Sequence, residues 1–574
     1  MSFQVSPGVQ VIETDLTNII PAVSTSIGGY AGSFEWGPVE EITLVGSEKE
    51  LANKFGLPKE GTAQSFFTAA SYLKYSTALK VVRTNDGTSP TYSKNAAVGT
   101  ALTIKNATAY ETASLTTAGE FVAKYPGTLG NSIGVAVCYA NAAEFATWDW
   151  KSAFSSEPGT SSFAASRGAS NDEIHVVVYD IDGKWTGAAD TILEKFEYVS
   201  LAADAIKEDG SSNYYKNVLN NTSNYIWWAN HAAEVSDAGA VASSGLVYTA
   251  DLDATGSTDP YTYDYALVGG TKVAATAANI TTALDLFANA EEVDVSLLFA
   301  GADTGSATAI AAAVIAIAEA RKDLVGFVSP PLEKTVNNAT PLASVLAWSN
   351  TITSTSYAVV DSSAVKVYDK YNDVYRWVPA CGFIAGLCAN ADEVADAWFS
   401  PAGLNRGQLL GIAKLAYNPK QADRDELYKA RVNPLVSFPG QGTVLYGDKT
   451  LLAKPSAFDR INVRRLFITL EKAIATAAKF QLFEFNDEFT RAQFLNIVEP
   501  FLRDVQGRRG LTDFFVVCDE TNNTAAVIDR NEFRADIYVK PARSINFITL
   551  NFVATRTGVE FAEIIGQANI TPNA

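Results

Sequence analysis

Histidine is almost missing from this chain, with two in 574 residues, alongside one methionine and four cysteines. A Ser/His or Cys/His pair, or a poly-histidine metal centre, would have to use His175 or His231. His175 sits in "EIHVVVYDIDGKW", an alternating run leading into the turn signal Asp182-Gly183, and reads as a strand-face residue. His231 follows "YIWWAN" and has no acid or cysteine directly beside it. Cys138, Cys381, Cys388 and Cys518 match neither CxxC nor zinc spacing, so buried small hydrophobes in a reducing compartment are expected. A phosphate loop is lacking too: "GTVLYGD" carries Asp448 where the lysine belongs. "DLDATG" starts like a calcium loop, but Thr255 and Thr262 stand where ligands are needed. "SIGGYAGSF" is glycine-rich without a GxGxxG pattern, and no carboxylate pair stands out. The expectation is no enzyme, no metal and no cofactor. The longest apolar run, "AIAAAVIAIA", is about half a membrane span, and "MSFQVSPGVQVIETD" lacks the parts of a signal peptide. Neither membrane insertion nor export by a cleaved signal is expected.

What is present is acid. Lys and Arg number 44 against 63 Asp and Glu, a net charge of -19, which argues against nucleic acid as a partner. The excess is uneven. From Lys454 onward 15 basic residues meet 15 acidic ones, so the preceding residues hold the whole imbalance.

Periodicity divides the chain into a multidomain α+β protein: an α/β core, a β-rich insertion and extended arms at both ends. Residues 1–20 read as an extended N-terminal arm, with Val5, Val9 and Val11 available for strand pairing. Residues 21–85 read as the first part of the α/β core. Within it "SEKELANKFG" opens with a capping-box spacing at Ser47 and Glu50 and closes on Gly56. Residues 86–270 read as a β-rich insertion, with "ALTIKNATAY" among its short runs. Residues 271–453 return to βαβ alternation, followed by Pro-, Gly- and Asn-dense loops across "RWVPACGFIAGLCANADEVADAWFSPAGLNRGQ". Residues 454–574 supply two helices and three strands.

The stretch "INVRRLFITLEKAIATAAKF" concentrates the question of function. At helical spacing Val463, Leu466, Phe467, Leu470, Ala473, Ile474 and Ala477 share one face. Arg464, Arg465, Lys472 and Lys479 share another, a row about 20 Å long with only Glu471 nearby. An ordinary surface helix interleaves both signs at i,i+4, whereas a single-sign row suits an acidic partner.

Several stretches resemble the contractile tail sheath proteins of long-tailed phages and the sheaths of R-type pyocins. They are "FDRINVRRLFITLEKAI", "FEFNDEFTRAQF", "FLRDVQGRRGLTDFFVVCDETNN" and "VKPARSINFITLNFVATRTGVEF", with "VNPLVSFPGQGTVLYGDKTL" and the N-terminal "SPGVQVIETD" and "AGSFEWGPVEEITLV". The resemblance implies a structural virion subunit, assembled in the host cytoplasm, that forms stacked hexameric rings around an inner tail tube and contracts. It implies partners in further copies of itself, the tube protein, the baseplate and the tail terminator. The basic row at Arg464, Arg465, Lys472 and Lys479 would face the tube. The arms would complete sheets in neighbouring copies, using Val5, Val9 and Val11 at one end and Ile545, Phe547, Ile548, Leu550 and Phe552 at the other. Alternatives are the sheath of a phage-derived injection system or bacteriocin, and, more remotely, an acidic surface-layer or adhesin protein.

Overall fold

The computed structural model describes residues 24–85, 103–115, 119–232, 235–248, 261–301 and 307–546, with the strand pair 92–93. The centre is a six-stranded sheet in the order Ala358–Val360, Val325–Val328, Leu297–Ala300, Gly28–Gly32, Leu79–Arg83, Ile42–Val45. All neighbours are parallel except the last, which lies antiparallel on the edge. Strands on either side of the long β-rich segment therefore share one sheet.

Alternation along each strand feeds two cores. Tyr30, Val81, Leu297, Phe299 and Phe327 meet the helices Ala63–Tyr72 and Cys381–Val394. Val82, Leu298, Ala300 and Val360 meet the helices Ala277–Asp285 and Ala307–Arg321. A parallel sheet covered on both faces explains the almost unbroken apolar strands. "SIGGYAGSF" is its central strand, and its glycines are packing devices. A Cβ on Gly28 would come within 2.7 Å of the Tyr72 ring.

Two local readings change. "ACGFIAGLCANADEV" is not a loop but the buried helix Cys381–Val394. Its glycines let it press against helix Ala63–Tyr72: a Cβ on Gly382 would lie 2.3 Å from the Thr68 carbonyl, and one on Gly386 2.5 Å from Tyr75. "ALTIKNATAY" ends in the short helix Ala107–Thr112, because the Asn106 side chain accepts the Ala109 N–H at 2.9 Å. Ser47 accepts the Glu50 N–H at 3.2 Å, opening helix Glu48–Phe55 as its spacing predicts.

Within the intervening segment a five-stranded sheet runs Tyr92–Ser93, Thr262–Val268, Ile133–Tyr139, Glu173–Asp180, Thr191–Ser200. Its junction with the central sheet is packed. The Trp36 ring meets Tyr125 at 5.4 Å and Trp185 at 4.9 Å between centroids. The buried Arg83 donates to the Gly37 and Pro126 carbonyls at 3.0 and 2.8 Å, and Lys272 pairs with Glu35 at 3.0 Å.

Candidate assembly surfaces of the C-terminal domain

Helices Ile461–Ala478 and Glu488–Gly507 cross a two-stranded antiparallel sheet, Leu511–Val517 with Asp536–Pro541. Leu466, Leu470, Phe494, Val498, Leu502 and Val505 form its core. The first helix exists because its apolar residues recur at three and four, as the sequence indicates. Its basic face does not behave as expected.

Arg464 and Arg465 are buried, so the four-cation row is corrected. Arg464 donates to the Ser356 hydroxyl at 2.8 Å and the Tyr357 hydroxyl at 3.2 Å. Its guanidinium lies 4.2 and 4.0 Å from the Tyr357 and Phe458 ring centroids. Burial lowers its pKa, opposed by the nearby Tyr357 and Glu471. Arg465 pairs with Asp392 at 2.6 Å and donates to the Cys388 and Thr25 carbonyls at 3.0 and 3.2 Å. Burial pulls its pKa down, and the attraction and hydrogen bond of Asp392 together with the nearby Cys388 and Tyr72 outweigh that, leaving it raised. It fastens the C-terminal domain to helix Cys381–Val394 and to the start of the central sheet. Lys472, mostly covered, pairs with Asp294. Only Lys479, at the end of the helix, is exposed with no partner among the described residues. The physical reason is that the partners come from other elements: carboxylates for Arg465 and Lys472, and hydroxyls with aromatic rings for Arg464.

Of the arm residues, Ile545 is described. It is exposed and outside any strand. Val5, Val9, Val11, Phe547, Ile548, Leu550 and Phe552 lie outside the described residues. The two-stranded sheet offers them an acceptor of the right kind. Each of its strands has one strand partner among the described residues, and Phe515 and Tyr538 stand opposite one another on its exposed face.

A feature that sequence reasoning missed lies between the two helices. In "FQLFEFNDEF" the side chains of Phe480, Leu482, Phe483, Phe485 and Phe489 are all exposed. The loop is held firmly. Asn486 donates to the Asn523 side chain at 3.1 Å and to the Glu532 carbonyl at 2.8 Å, and Arg491 donates back to Asn486 at 2.9 Å. Asp487 caps the second helix by accepting the Thr490 N–H at 2.8 Å. Phe483 has φ of 72°, a left-handed conformation that costs a bulky residue on the order of 1–3 kcal/mol. The available signal was an apolar cluster that fits neither helical nor strand period.

No group of His, Cys, Asp or Glu among the described residues has the arrangement to hold a metal ion, and no described helix is long and apolar enough to cross a membrane. His175 is a buried strand residue; its Nε2 lies 2.9 Å from the Ser156 carbonyl, and burial lowers its pKa. His231 meets the Tyr215 hydroxyl at 2.7 Å. All four cysteines are buried and free, with burial pushing the Cys381 and Cys388 thiols up to about 12.

Buried charges that answer one another, with backbone edges and apolar side chains left facing outward, define an assembly subunit. Residues 25–84 match the tail sheath protein Gp18 domain III N-terminal region, 274–451 the phage tail sheath protein central domain, and 453–555 the phage tail sheath C-terminal domain. The chain is 36% identical to the tail sheath protein of Vibrio phage KVP40 and 34% identical to that of Enterobacteria phage T4. Each alignment covers 98% of this chain and 99% of the relative. The crystal structure of the sheath tail protein Lin1278 from Listeria innocua shares the fold, with a TM-score of 0.52 at 14% identity over 91% of this chain and 96% of that one. The chain belongs to the phage tail sheath proteins: it is a structural subunit of a contractile tail and a component of the virion.

Proposed function

We propose that this chain polymerises as stacked hexameric rings, a six-start helix, around an inner tail tube, bounded by a baseplate and a tail terminator. On a baseplate signal the lattice slides and rotates into a shorter, wider form that drives the tube through the host envelope. Residues 1–20 and 545–554 act as arms, 86–270 as an outward-facing insertion, and 454–574 as the tube-facing domain. The observation that carries this reading is the two-stranded sheet of the C-terminal domain. Its strands are too few to stand alone, and its exposed face carries Phe515 and Tyr538. A strand from a neighbouring copy completes it by β-augmentation.

Tube contact falls to Lys479, with Lys472 behind it once its bond to Asp294 loosens. Exposed charge pairs of this kind are worth about 0–1 kcal/mol each, weak enough to release during contraction. The energy comes from the lattice: a kinetically trapped extended state gains buried apolar surface, at about 25 cal/mol per Å², as it contracts. Two variants test the reading. Deleting residues 1–14 leaves soluble subunits that form no sheath in electron micrographs. Lys479→Glu leaves the fold intact but prevents assembly around tubes. Normal, contractile sheaths from the deletion variant would overturn the arm model.

A further inference from the structure

The aromatic loop and one groove of the same domain are complementary, and they lie where a single chain cannot join them. Phe480, Leu482, Phe483, Phe485 and Phe489 are between 63 and 104% exposed, a cost in water that the isolated fold does not recover. Glu484 and Glu488 stand among them with no side-chain partner among the described residues. The loop is pinned by Asn486 and Arg491, so it is presented as a rigid knob.

At the opposite end of helix Ile461–Ala478 an open groove of about 630 Å³ lies between the start of that helix and residues 543–546. Pro455, Ala457 and Val463 supply apolar wall, and Arg543 supplies positive charge. Asp459 also lines it, but lies 3.6 Å from Arg460, which is further held by the buried Asp448. Arg543 is exposed and has no partner among the described residues. A volume of this size is in the range of ordinary ligand pockets, enough for aromatic side chains to enter.

The helix separating knob and groove has 18 residues, about 27 Å. Helix Glu488–Gly507 separates them again, since it begins at the knob and its far end lies beside Ala542, which bonds the Gly510 carbonyl at 3.1 Å. We propose that the 480–489 knob of one copy seats in the groove lined by Pro455, Ala457 and Val463 of a second copy, with Glu484 facing Arg543. Aromatic rings cover the apolar wall and lie against guanidinium groups. Because the two surfaces differ, the contact is heterologous: each copy offers one knob and one groove, and repetition builds a ring or an open helix. The proposal deepens the sheath reading by naming two faces that meet between successive copies.

The test uses the full-length chain with added cysteines, which is practicable because the four native thiols are buried. Glu488→Cys is made in one preparation and Ala457→Cys in another. Mild oxidation is expected to give a disulfide-linked dimer in the mixture and none in either preparation alone. Cross-linking of Glu488→Cys to itself, or none in the mixture, would overturn the contact. Independently, Phe483→Ser with Phe485→Ser is expected to raise the concentration needed for self-association at least roughly tenfold while leaving the near-ultraviolet circular dichroism unchanged. Glu484→Arg is expected to weaken association, and Arg543→Glu in the same chain to restore it; additive losses would count against the pairing. Repeating the cross-link in chains lacking residues 1–14 separates the two ideas. A cross-link that persists while polymers are lost supports both arm and knob. Polymers lost by truncation with no cross-link in the full chain sink the knob alone.

Discussion

Replacing Arg465 by methionine leaves Asp392 buried beside an apolar side chain. Asp392 Oδ2 loses its only guanidinium, at 2.6 Å, and its other oxygen already lacks a hydrogen-bond partner. The Cys388 and Thr25 carbonyls lose a donor at the same time. Removing one member of a buried pair costs about 3–5 kcal/mol, because the remaining charge is left without compensation. Removing both charges, as in Arg465→Met with Asp392→Leu, should recover a large part of that loss. The double-mutant cycle is therefore expected to show coupling of roughly 2–3 kcal/mol. Urea denaturation at neutral pH, followed by circular dichroism and tryptophan fluorescence, reads it directly. Lys479→Met is the control, expected within about 0.5 kcal/mol of the parent because the exposed Lys479 side chain has no hydrogen-bond or ion-pair partner among the described residues. An Arg465→Met variant as stable as that control, or a double variant equal to the sum of the singles, would refute the assignment of Arg465 as a buried fastener.

Two further predictions concern the central sheet. Gly382→Ala should destabilise by about 1–3 kcal/mol or more, since its Cβ meets a backbone carbonyl that cannot swing aside; Gly61→Ala, with open space around it, should be tolerated in the same melting experiment. Asp361 is fully buried and bonded to the Ser329 hydroxyl and the Ser363 N–H, and burial pushes its carboxyl up to about 7. A carboxyl raised in the folded state holds its proton longer there than in the unfolded chain. Its contribution is therefore most favourable below the ordinary carboxylate range, and is lost as pH rises toward about 7. Asp361→Asn should flatten the stability slope between acid and neutral pH and raise stability at pH near 8; an unchanged slope would show that the carboxyl is not the titrating group.

Much of this architecture is legible in the order of residues. Alternation of short apolar strands with helical periods marked the central sheet, and Ser47, Glu50 and Gly56 marked both ends of a helix. Those signals are local: capping and amphipathic spacing act within one or two turns, so the chain carries them wherever it folds. The tail sheath resemblance was readable for the same reason, since its motifs are contiguous. Three features were decided only in three dimensions. Glycines that suggested a loop at 381–394 belong to a helix, because their value lies in what approaches them, and Thr68 and Tyr75 are hundreds of residues away. The aromatic cluster at 480–489 is fixed outward by partners from the 523–532 region, which no periodicity reports. Arg464 and Arg465 share a helical face with Lys472 and Lys479, but a helical wheel gives direction and not surroundings. Asp392 and Asp294, 73 and 178 residues away, supply counter-charges to Arg465 and Lys472, while Ser356, Tyr357 and Phe458 take up Arg464, so the cationic row becomes two buried anchors and one covered pair. A charge is free or spent according to what other segments bring against it, and only tertiary packing brings them.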